Sequence, residues 1–76
     1  MLRDDRTDGL VEEDYRRLAA IARREPSSQH LDEQMLRFLG RRCALRYMDS
    51  KGQQWLDVHP LLIETEGFRR AYDLIA

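Results

Sequence analysis

The chain predicts a small α+β domain in the order α-α-β-β-α, with one antiparallel β-hairpin packed against helices. Three observations carry that expectation. Apolar residues recur at helical spacing in the first half of the chain and again after Thr65. Between these stretches, Cys43, Leu45 and Tyr47 alternate with Ala44, Arg46 and Met48, and a second short run follows the turn-forming Asp49-Ser50-Lys51-Gly52. Pro26, Gly40 and Pro60 punctuate the joins.

Taken in order, residues 1–8 are polar and read as a flexible tail, leaving 9–76 as a single domain. Asp8 can cap a first helix over about residues 10–24. Val11, Tyr15, Leu18 and Ala22 form its apolar stripe, while Glu12–Arg16 and Glu13–Arg17 pair on the solvent face. Acids at its start and Arg23 and Arg24 at its end suit the helix dipole. Pro26 stops it, because its ring bars the preceding residue from helical geometry. Ser27 or Ser28 is a candidate cap for a second helix over about residues 29–40, with Leu31, Met35 and Phe38 inward and Gly40 in the left-handed position that ends it. Leu36 lies well round the helix from Leu31, so the same core does not cover both.

The hairpin has two candidate registers. Pairing Met48 with Gln53 sets Leu45 opposite Leu56, Cys43 opposite Val58 and Arg46 opposite Trp55. A bulge at Gly52 slips the pairing by one and sets Tyr47 opposite Trp55 instead. The first is preferred because it collects aliphatic residues on one face. His59-Pro60 ends the second strand, since Pro cannot donate to a ladder. Leu61, Leu62 and Ile63 read as a short third strand at residues 61–64 or as an extended crossing segment. Thr65 caps a last helix over about 66–76, whose face is Phe68, Ala71, Tyr72 and Ile75.

Size and composition bound the function. A 76-residue chain buries only roughly 60–65% of its unfolded surface, so one thin core is expected, and a second copy or a partner is a natural supplement. At 36% charged residues the chain is more polar than the usual globular protein, and no apolar run is long enough to span a bilayer. The opening MLRDDRTDG lacks the apolar core of a secretory signal, and a lone Cys43 cannot form an internal disulfide; both favour the cytoplasm. Net charge is −1 but uneven: residues 15–51 hold eight Arg and one Lys against four acids, between acidic ends. That basic middle is the compositional hint of an anionic partner.

Catalysis is not expected. Cys43, His30 and His59 lack the tight spacing of zinc ligands, and a Cys43–His59 nucleophile pair has only nearness along the hairpin to recommend it. Glu64 and Glu66 flank a helix cap, where acids already have a structural role. No phosphate loop or nucleophile elbow is present, so neither a metal nor a cofactor is expected. The expectation is a non-catalytic interaction protein (an adaptor, inhibitor or regulator) that binds another protein or a second copy of itself. Its surface would be Arg46, Met48 and Trp55, with Leu36 and Arg37 as a second choice, since Trp, Arg and Met are enriched where proteins meet. The alternative is a DNA-binding transcriptional regulator. Helix, turn, helix, then a basic hairpin is similar in element order to the last part of a winged-helix domain. Arg37 and Arg41 would then enter the major groove, and Arg42, Arg46 and Lys51 would touch phosphate.

Overall fold

The computed structural model describes residues 7–75, the last two by their backbone. Three α-helices and a two-stranded hairpin follow in the expected order: α1 (Glu12–Ala22), α2 (Glu33–Gly40), β1 (Ala44–Met48), β2 (Gln54–Val58) and α3 (Glu66–Ile75). One 3₁₀ turn, Pro26–Ser28, lies between α1 and α2, and another, Pro60–Glu64, between β2 and α3. Of the tail expected over residues 1–8, residues 1–6 lie outside the described residues.

The helices start and stop for local reasons. The N-cap of α1 is Val11 rather than the expected Asp8, and Asp14 reaches back from the first turn to accept from the Val11 N–H at 3.1 Å. At its end Arg24 takes φ +56°, the Arg24 N–H donates to the Ile21 carbonyl and the Glu25 N–H to the Ala20 carbonyl. This pair of bonds is the Schellman arrangement, with Arg where Gly usually sits. The second helix repeats it. Arg42 takes φ +60°, and Arg42 and Cys43 donate to the Leu39 and Phe38 carbonyls. Gly40 is therefore the last helical residue, and the left-handed position expected of it belongs to Arg42.

α2 is also shorter than expected. Asp32 is its cap, accepting from the Met35 N–H at 2.8 Å, while Ser28 Oγ turns back onto the Glu25 carbonyl. Leu31 is thus outside the helix and exposed. The apolar run after Pro60 forms no third strand. His59 Nδ1 accepts from the Leu61 N–H at the start of the 3₁₀ turn, and the Thr65 hydroxyl donates to the Leu62 carbonyl at its end. Of that run, Leu62 alone is buried.

The hairpin adopts the slipped register: Ala44 faces Val58, Arg46 faces Leu56, Tyr47 faces Trp55 and Met48 faces Gln54. The turn decides this. Gly52 sits at φ +80°, a conformation costly for any other residue. Asp49 Oδ1 accepts from the Lys51 and Gln53 N–H groups at 2.9 and 2.8 Å, and Asp49 N–H donates to the Gln53 carbonyl. The extra residue makes Gly52 a bulge. The Leu45–Leu56 and Arg46–Trp55 pairings of the preferred register therefore do not form.

One core joins the elements. Leu18, Ala19 and Ile21 of α1 meet Met35 and Phe38 of α2, Ala44, Leu56 and Val58 of the hairpin, and Phe68 and Ala71 of α3, with Cys43 and Leu62 between. On the hairpin the core reaches from the base to the middle of β2, at Leu56. Ala44 and Val58 are buried, whereas Arg46, Tyr47, Met48 and Gln54 are exposed. The distal half of the hairpin projects past the helices.

Candidate functional site

Side chains alternate across a strand, so the slipped register sorts the hairpin into two faces. Arg46, Met48 and Gln54 continue the inner face beyond the core, and Leu45, Tyr47, Trp55 and Asp57 form the outer face. Arg46 and Met48 are therefore on the face opposite Trp55. Arg46 and Trp55 nonetheless both line a shallow recess with Gln29, Leu31, Gln54 and Leu56.

Trp55 is half-buried beneath a cation that sequence reasoning missed. The Arg24 guanidinium lies 4.1 Å from the ring centroid and 3.8 Å from the Asp57 carboxylate. The left-handed turn at Arg24 directs this side chain off the end of α1 and over the sheet. Nothing in local sequence periodicity signals a cation–π pair between residues 24 and 55. Beyond it, Tyr47 is 40% exposed and Met48 63% exposed. The chemistry on offer is contact with another surface: an aromatic pair, a flexible thioether and a strand edge.

The second-choice residues lie elsewhere. Leu36 is exposed on the outer side of α2. Arg37 beside it stands 3.6 Å from Asp14, a buried carboxylate that also accepts from Gln34 Nε2 at 2.8 Å. Of the cations assigned to nucleic acid, Arg41 donates to the Asp8 carbonyl, while Arg42, Arg46 and Lys51 are exposed or at the surface with no side-chain partner among the described residues.

A polar knot holds the connector between α1 and α2. Arg17, only 13% exposed, donates to Asp32 Oδ2 at 2.8 Å, to Gln34 Oε1 at 3.0 Å and to the Ser28 and His30 carbonyls. That hydrogen bond, then the one from the Met35 N–H, holds the Asp32 carboxyl down to about 2, well below the usual carboxylate range. His30 Nε2 stands 3.0 Å from the same carboxylate. Every member has a partner within the chain, so the knot reads as structural.

Cys43 is buried, and His59 uses Nδ1 for its cap, so the pair is tied by a backbone bond from His59 N–H to the Cys43 carbonyl at 2.8 Å. Among the described residues no group of three or more His, Cys, Asp or Glu is placed to hold a metal, and no helix is long and apolar enough to cross a membrane. A shallow apolar groove of Val58, Ile63, Phe68 and Tyr72, flanked by Asp57 and Asp73, lies between α3 and β2. No protein-family model, curated protein or solved structure matches the chain.

Proposed function

We propose that the chain is a non-catalytic protein-binding module, an adaptor, inhibitor or regulator of the cytoplasm, and that it presents the projecting half of its hairpin. The supporting observation is the exposed Tyr47 beside Trp55 on the outer face, where Arg24 lies over the indole, with Met48 exposed on the other face. Rigid aromatic side chains that need no ordering on contact favour binding. The test is affinity capture from the native host with the partner identified, then repeated with Tyr47→Ala and Leu36→Ala. Tyr47→Ala should abolish capture and Leu36→Ala should not. The reverse pattern moves the surface to α2. Tyr47 is a cleaner probe than Trp55, because removing the indole also strands Arg24.

DNA binding is the second reading. It draws on Arg42, which keeps a left-handed backbone with no side-chain partner among the described residues, together with the exposed Arg46 and Lys51. It has less support from α2, where Arg37 pairs with Asp14 and Glu33 opens the exposed face. Retention of duplex DNA at about 50 mM salt, falling steeply as salt rises, would favour this reading. No retention at that salt excludes it.

A further inference from the structure

The two outer edges of the hairpin are unlike. The hydrogen bonds that join the strands run between Cys43 and His59 at one end and Asp49 and Gln53 at the other, so alternate residues direct their backbone groups outward. On β2 the middle of the edge is already taken, at Leu56 and the Val58 N–H. The Gln29 amide donates to the Leu56 carbonyl at 3.1 Å and accepts from the Leu56 N–H at 2.8 Å, as a neighbouring strand would, and Asp57 Oδ1 accepts from the Val58 N–H. On β1 the outward groups of Arg46 and Met48 have no partner among the described residues, and both residues are exposed. The next outward residue, Ala44, is buried.

We propose that two copies of this chain pair through β1, antiparallel and two-fold about Tyr47, to make a four-stranded sheet. The open stretch is Arg46–Met48, and Tyr47 is its midpoint. Centred there, Arg46 exchanges two backbone bonds with the partner's Met48, and Met48 does the same with the partner's Arg46. Centring on Arg46 would instead set two guanidinium groups directly opposite, which like charges resist. In the Tyr47-centred register the outer face carries an unbroken row: Trp55, Tyr47, the partner's Tyr47, the partner's Trp55. The chain's net charge of −1 sets little repulsion between copies. Because Gln29 closes the β2 edge, addition stops at two copies and does not propagate. The dimer stands independently of any hetero-partner; if the hairpin also binds another protein, the row doubles the surface offered.

Sedimentation and light scattering at up to ~1 mM chain should give twice the 9.1 kDa of one chain. Met48→Lys sets a cation opposite the partner's Arg46 twice per dimer and should weaken association by about tenfold or more, whereas Met48→Glu should tighten it. Tyr47→Cys should cross-link under mild oxidant, since such a directly opposed pair brings its Cα atoms to about 4.5 Å, within reach of a disulfide. The wild-type chain, whose Cys43 is buried, is the control. These substitutions lie outside the core, and circular dichroism checks that the variants fold. A single 9.1 kDa species at ~1 mM overturns the proposal. A dimer indifferent to both Met48 substitutions overturns it too, because its interface is then elsewhere. Hetero-partner capture by a monomeric chain would leave the protein-binding reading standing while this one fell.

Discussion

Arg24 and Arg42 share a backbone conformation, with φ +56° and +60°, but not a consequence. A non-Gly residue in the left-handed region costs about 1 kcal/mol or more. At Arg24 the guanidinium lies over Trp55 and near Asp57. A cation–π contact at a partly exposed site contributes about 0.5–1 kcal/mol, and so well exposed an ion pair adds little. The two sides nearly cancel. At Arg42 nothing offsets the strain, because its side chain has no partner among the described residues. Arg42→Gly should therefore stabilise the fold by about 1 kcal/mol, raising the melting temperature by about 4–8 °C for a chain of this size. Arg24→Gly should leave it nearly unchanged. Thermal melts of the two variants make the comparison directly, and equal gains would mean that the Arg24–Trp55 contact contributes nothing. A strained residue with no internal return is also what a binding surface retains, which is why Arg42 stays in the DNA-binding reading.

Between elements, two close contacts set how α1 sits on its neighbours. Gly67 opens α3 against the ring of Tyr15, and a Cβ placed there would come within 2.7–2.9 Å of three ring carbons. Gly67→Ala improves helix propensity by about 1 kcal/mol, but overpacking costs about 1–3 kcal/mol. The net expectation is a lower melting temperature, contrary to the usual effect of this substitution in a helix. The second contact is the Arg17–Asp32 pair. Asp32 holds its proton far less readily in the fold, at about 2 against an ordinary 3.8, so its contribution is present above about pH 4 and is lost as pH falls from there toward 2. Melting temperature should fall over that window. Asp32→Asn should be less stable at neutral pH and flatter below pH 5; an equally steep fall would assign the acid sensitivity to another carboxylate. These contacts also mark what was legible in the sequence. Both long helices, the hairpin and the Thr65 cap follow from periodicity and turn chemistry carried by neighbouring residues. The start of α2 does not, because Asp32 outcompetes Ser27 and Ser28 with help from Arg17, fifteen positions away. The register was legible only as two alternatives, since it hangs on the φ of one residue, Gly52. The run Leu61–Ile63 has strand composition, and the caps from His59 and Thr65 turn it into a 3₁₀ segment. Of the surface residues, Met48 and Leu36 were legible as exposed. The seating of Trp55 was not, because its cover arrives from the far end of α1.

Across the whole molecule, the core takes in the proximal part of the hairpin while its distal part is exposed, and Gln29 binds the β2 edge between them. It sits in the connector after Pro26–Ser28, and its amide closes the β2 edge at Leu56, a core residue. Removing that amide has a local and a global consequence. Locally, two hydrogen bonds go, at about 0.5–1.5 kcal/mol each, and the Leu56 N–H is left without its acceptor. Globally, an edge that could not add a strand becomes able to, and a chain with two open edges can associate without limit. Gln29→Ala should therefore exchange its Leu56 amide hydrogen faster than the wild type and form species larger than a dimer as concentration rises. Gln29→Glu offers a sharper version. Its carboxylate can still accept from the Leu56 N–H but cannot donate to the Leu56 carbonyl, so it should protect the amide while weakening the edge. Hydrogen exchange read at Leu56, beside light scattering on the same samples, separates the two effects. If Leu56 stays protected and the assembly size stays unchanged in Gln29→Ala, then the connector backbone, and not the amide, is what closes that edge.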